Sequence, residues 1–92
     1  MQTLERIAPV LRLLAHPHRL RIVDILRDGE GLPVHAIAAR LGLPPAATSQ
    51  HLNHMRRAGL VAATRHAREV RYHVAEKRAL AVLDCICGRS KK

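Results

Sequence analysis

The chain has 92 residues, enough for one small domain, and 48% of them are hydrophobic, which excludes a chain disordered by composition. Lys and Arg number 16 against 7 Asp and Glu, a formal charge of +9, and Tyr72 stands as the one aromatic residue beside no Phe and no Trp. That balance points to a polyanionic partner and excludes the aromatic platforms that stack single-stranded nucleic acid, so duplex DNA fits best.

The 13 Leu, 14 Ala and 13 Arg favour helix. Leu4, Ile7, Leu11 and Leu14 recur at helical spacing and predict a first helix over residues 3–15, with Pro9 kinking it or weakening its first turn. His16-Pro17 breaks the chain, and Pro17 opens a second helix with Leu20, Val23 and Leu26 facing inward. Asp28-Gly29 ends it, Gly29 serving as a left-handed cap. After the extended link Gly31-Leu32-Pro33, a third helix over 34–41 buries Val34, Ile37, Ala38 and Leu41 and is capped by Gly42. Pro45 opens a fourth helix that runs to residue 58, with Gly59 as its cap, so a helix–turn–helix occupies 34–58.

Beyond Gly59 the pattern changes to two short β-rich runs, in which Val70, Tyr72 and Val74 alternate. With His66-Ala67-Arg68 as the tip, they form a hairpin wing over 60–74. A last helix over 76–87 carries Ala79, Leu80, Leu83 and Ile86 at helical spacing, and Gly88 ends it. The whole, 1–92, reads as a single mainly α domain of five helices and a β-hairpin, a winged helix–turn–helix. No apolar run is long enough to span a membrane. The N-terminal MQTLERIAPVLRLL lacks the apolar stretch and cleavage site of a secretory signal. Two cysteines make no disulfide framework, so a reducing cytoplasmic setting is expected.

Charge is segregated along the chain. Gly31 to Arg68 contains no acidic residue but holds Arg40, Arg56, Arg57, Arg65 and Arg68 and four histidines, and a surface without carboxylates suits phosphate contact. At about 100° per residue the fourth helix divides into two faces. Thr48, His51, Leu52 and Met55 form the inner one. Ala46, Gln50, Asn53 and Arg57 form the outer one, with Ser49 near them. Gln50 and Asn53 suit paired hydrogen bonds to adenine, Ser49 several bases, and Ala46 or Ala47 a thymine methyl. Arg56 and Arg57 at the helix end should reach phosphates, and Arg65 and Arg68 on the wing a minor groove or the backbone.

The runs LRLLAHPHRLRIVDIL, GLPVHAIAARLGLPPAATSQHLNHMRRAGLV and RHAREVRYHV resemble the ArsR/SmtB family of bacterial repressors over nearly the whole chain. The resemblance implies a cytoplasmic homodimer that docks two recognition helices on a pseudo-palindromic DNA operator and is usually released by an effector. It also implies a dimer interface made by the first and last helices, here Leu4, Ile7, Leu11, Leu80, Leu83 and Ile86. In TSQHL it gives His51 a packing role, and it places Ala67 where the family's wing tip commonly has glycine.

The family's metal sites find no thiolate pair at the start of the third helix, where Pro33 and His35 stand. At the last helix they find Glu76 with Arg78, then Arg89 and Lys92, whose charges repel a cation. No cofactor and no metal is therefore expected, and the pairs His51/His54 and His16/His18 are weaker candidates. Cys85 and Cys87, pointing about 200° apart on a helix, cannot chelate one ion while helical. Near a dimer interface they support an alternative reading, a thiol-redox or arsenic-responsive sensor with or without DNA release. No phosphate loop, nucleophile elbow or paired-carboxylate motif marks an enzyme.

Overall fold

The computed structural model describes the backbone of residues 2–87 and the side chains of residues 5, 6 and 8–85. Expectations that rest on the side chains of Leu4, Ile7, Ile86 and Cys87, or on Gly88, Arg89 and Lys92, lie outside the described residues. Seven elements follow in order: α1 (Gln2–Leu14), α2 (Pro17–Ile25), α3 (Val34–Leu41), α4 (Pro45–Arg57), β1 (Val61–His66), β2 (Glu69–Val74) and α5 (Lys77–Cys87).

Prolines set two of the helix starts. Pro17 and Pro45 occupy first-turn positions, where a missing N–H costs nothing. His16 caps α2, its Nδ1 accepting the His18 backbone N–H at 3.2 Å. α1 continues through Pro9 to Leu14. α2 stops at Ile25, short of the expected Asp28-Gly29. Gly29 belongs to the turn beyond, its N–H donating to the Leu26 carbonyl at 3.2 Å. Between α3 and α4, Gly42 takes φ +73°, which lets its own N–H and that of Leu43 both reach the Ala38 carbonyl, at 2.9 and 3.1 Å. A side chain at this left-handed position would be strained, so glycine fixes the angle at which α4 leaves α3.

The core gathers Leu14 of α1, Ile22 and Val23 of α2 with Leu26 at its C-cap, Ile37 of α3, Leu52 and Met55 of α4, Leu60 and Val61 at the start of the wing, and Ala79 and Leu83 of α5. Ile22 is fully buried although the periodicity of α2 had Leu20 in that role, and Leu20 is only half-buried. The reason is position: α2 meets α1, α3, α4 and α5, so its buried arc is wider than a single amphipathic stripe. Thr48 is also fully enclosed, and its hydroxyl donates to the Pro44 carbonyl at 3.1 Å, so its polar group is not stranded.

The wing is an antiparallel pair running from Val61 opposite Val74 to His66 opposite Glu69. His66 therefore belongs to β1, and the tip is the two residues Ala67-Arg68. Leu32 joins β2 from the other side, exchanging hydrogen bonds of 3.0 and 2.8 Å with Tyr72. The expected alternation buries Tyr72 and Val74 partly, but Val70 lies out along the hairpin beyond the body and is exposed. The Leu60 carbonyl accepts from Ala75 and Glu76, at 2.8 and 3.2 Å, which closes the base of the wing and turns the chain into α5.

Ala67 is the described non-glycine residue with positive φ, at +57°. Alanine in this region costs about 1 kcal/mol. Glycine would relieve this strain but add entropy to the unfolded chain, so Ala67→Gly should raise the thermal midpoint by about 1–4 °C. An unchanged or lowered midpoint would show that the loop does not hold this turn.

Candidate nucleic-acid interface

The buried face of α4, made by Thr48, Leu52 and Met55, leaves the opposite face open. Ala46 and Gln50 are exposed there, and Ala47, Ser49 and Asn53 are half-buried beside them. Arg56 and Arg57 are exposed on the last turn of α4, and Arg65 and Arg68 are exposed on the wing. The nine positions singled out for DNA contact thus all reach solvent, five of them on one helix surface. Their aliphatic and amide groups suit a groove floor, and the flanking guanidinium groups suit its phosphate walls.

Three arginines outside the acid-free stretch carry carboxylate partners. Arg27 bridges Asp24 at 2.9 Å and Asp84 at 2.8 Å, Arg71 pairs with Glu69 at 3.0 Å, and Arg78 with Glu76 at 2.7 Å. Among the described residues, Arg40, Arg56, Arg57, Arg65 and Arg68 have no such ion pair. The carboxylates of these pairs lie on α2, β2 and α5 and on the residue before α5, and among the described residues the arginines around α4 and the wing tip have no such partner.

Behind α4 lies a cluster that the sequence reading did not assemble. The His51 ring packs edge-on to His16, centroids 4.7 Å apart, and 5.6 Å from His18. His16 and His18 are both half-buried, because α2 begins directly behind α4. His51 does pack, as expected, and burial, followed by the positive charge of His16, Arg19, His18 and His54, pushes its pKa down. Arg19 reaches both α4 histidines, Nε donating to His51 Nδ1 at 3.2 Å and Nη2 to His54 Nδ1 at 2.9 Å. Arg19 was not singled out from the sequence; the only signal was its place one helical turn after His16.

The described positions that match the family's metal sites are Pro33, His35, Glu76 and Arg78. Pro33, the residue before α3, offers no ligand, and His35 is exposed. Arg78 covers Glu76, with Nε and Nη2 on the two carboxylate oxygens at 2.7 and 2.8 Å, and its backbone N–H adds a third bond at 3.1 Å. The Arg78 side chain first and its N–H second hold the Glu76 carboxyl down at about 2. Among the described residues, no group of three His, Cys, Asp or Glu is arranged to hold an ion. Cys85 is exposed on α5.

An apolar groove runs between α1 and α5, lined by Val10, Leu11, Leu14, Ala79 and Val82. Leu11 is 45% exposed in it and Leu80 is half-buried. Leu83, expected at a subunit interface, is 7% exposed and joins the chain's own core, and with Leu11, Leu20 and Val82 it also lines a neighbouring apolar hollow. No described helix is long and apolar enough to cross a membrane.

Residues 14–63 match the family described as Helix-turn-helix domain. The chain is 33% identical over 79 residues to the HTH-type transcriptional regulator YgaV of Escherichia coli, covering 86% of this chain and 80% of that protein. It is 37% identical over 86 residues to the HTH-type transcriptional repressor SmtB of Mycobacterium tuberculosis, covering 92% of this chain and 63% of the repressor. The solution structure of a homodimeric winged helix–turn–helix DNA-binding domain from Mycobacterium bovis superposes with a TM-score of 0.80 at 28% identity, covering 95% of this chain and 80% of that one.

Glu76 supplies a pH test of the α5 start. Its folded-state pKa lies below the ordinary 4.5, so its contribution to stability is present above about 4.5 and is lost as pH falls through about 2. A carboxyl titration by NMR should find Glu76 half-protonated near pH 2 and shifted back toward 4.5 in Arg78→Gln. A wild-type value at 4.5 would mean that the ion pair does not form in solution.

Proposed function

We propose that this chain, which belongs to the ArsR/SmtB family of winged helix–turn–helix transcriptional regulators, acts as a cytoplasmic homodimeric repressor that binds a pseudo-palindromic operator. The observation that carries the reading is the free outer face of α4, set among arginines with no carboxylate partner among the described residues. α4 enters the major groove. Gln50 and Asn53 pair with adenine edges, Ser49 adds a hydroxyl, and Ala46 and Ala47 meet thymine methyls. Arg56 and Arg57 hold phosphates at the groove edge. Arg65 and Arg68 follow the backbone or enter the next minor groove from the wing.

The α1/α5 groove supports the dimer. A core this small is marginal alone, and a second copy that covers Leu11 and Val82 enlarges it. A two-fold pair presents two copies of α4 to half-sites about one helical turn apart, which is why the operator should be symmetric.

Two substitutions separate base reading from phosphate holding, and fluorescence anisotropy against a panel of duplexes measures both. Gln50→Ala should cost about 1–3 kcal/mol on the operator and relax preference at one base position. Arg57→Ala should weaken all duplexes alike and reduce the salt slope by about 1. Unchanged operator binding by the first, or a sequence-selective loss in the second, would contradict the assignment.

A further inference from the structure

Arg19 takes part in neither the apolar core nor the face offered to DNA, yet it joins three helices. Its Nε and Nη2 reach the Nδ1 atoms of His51 and His54 on successive turns of α4, at 3.2 and 2.9 Å, and its Nη1 points to the Leu13 carbonyl of α1 at 3.5 Å. A guanidinium has only donors, so both imidazole Nδ1 atoms must accept. A neutral ring that accepts at Nδ1 carries its proton on Nε2. A second proton could enter only at Nδ1, where it would face the arginine, remove the acceptor and place two cations in contact.

At His51 the surroundings oppose that proton. From α2 and its cap, His16, His18 and Arg19 face His51; from α4 itself His54 does; α1 contributes the Leu13 carbonyl on Arg19; none of these is a carboxylate. His51 follows Gln50 directly, and His54 follows Asn53, so the clamp grips α4 at the two turns that carry its amide side chains.

We propose that Arg19 is a positioning residue for the reading face of α4, acting through an imidazole clamp that holds only while His51 and His54 are neutral, so that acidification weakens sequence-specific recognition of DNA. This rests on the DNA-binding function proposed above. The sign follows from the chemistry. The neutral ring is the form the fold prefers at His51, so the clamp is whole above the ordinary histidine range and is lost as pH falls below it.

The test compares a duplex recovered by selection from a random pool with a shuffled duplex of equal length. Anisotropy is recorded at constant ionic strength from about pH 7.5 to about pH 5, across the histidine range. General charging of the protein strengthens both bindings, so the ratio of the two affinities is the readout. In the wild type the ratio should fall about tenfold, the scale of one or two charge-assisted hydrogen bonds, while circular dichroism shows the fold retained. The double variant His51→Asn/His54→Asn keeps an amide acceptor near each Nδ1 place but cannot titrate, and its ratio should stay level. A level wild-type ratio, or a parallel fall in the double variant, overturns the proposal. Should the double variant not fold, the single His54→Asn at the exposed position takes its place, and its ratio should fall less than the wild type's. NMR of the ring nitrogens without DNA tests the clamp separately: near pH 7 both rings should be Nε2–H tautomers. Nδ1–H tautomers overturn the clamp whatever the protein does with DNA. A pool that yields no preferred duplex overturns the DNA-binding function, and with it the effect on recognition, while the ring spectra still decide the clamp.

Discussion

One face of α4 is buried, and everything the chain can offer to a duplex depends on that. A helix of 13 residues is marginal by itself in water, and α4 begins behind Pro44 with no side-chain cap. Packing holds it instead: Leu52 and Met55 are wholly enclosed by the core, and Thr48 is enclosed with its hydroxyl turned back on the Pro44 carbonyl. Helical geometry does the rest. With Thr48, Leu52 and Met55 inside, Ala46, Gln50 and Asn53 have to point the other way, and the outer face is fixed without further restraint.

The same constraint explains why α2 is buried more completely than its pattern suggests. It meets all four other helices, so it supports α4 on one side and the α1/α5 pair on the other. Two arginines, Arg19 on α2 and Arg27 in the turn just after it, extend in these directions. Arg27 reaches Asp84 on α5 at 2.8 Å, and Arg19 reaches the histidines of α4. The Arg27 pair is partly exposed, and such pairs are worth about 0–1 kcal/mol, so its role is to orient α5 more than to stabilise the chain. Through α2, the surface proposed for the partner subunit and the surface proposed for DNA share one support.

The helix–turn–helix was legible because its punctuation is local. Pro45 and Gly42 each act through their own backbone, so the turn and the start of α4 could be read residue by residue. The two faces of α4 were legible for the same reason, since a rotation of the helix fixes them. What escaped depends on distant partners. Ile22 is buried by helices that return from elsewhere in the sequence, and no period within α2 reports that. Arg19 and His51 stand 32 positions apart, and their hydrogen bond exists only because α2 and α4 cross at that point. Val70 shows the reverse case, a strand-like pattern that continues past the body it was expected to pack on.

The central claim is that paired copies of α4 read a symmetric major-groove site. Selection of duplexes from a random pool by the purified chain, followed by sequencing, measures this most directly. The account predicts an inverted repeat with half-site centres about one helical turn, or 10 base pairs, apart. Recovery of an unsymmetric site, or of no shared sequence at all, would contradict it.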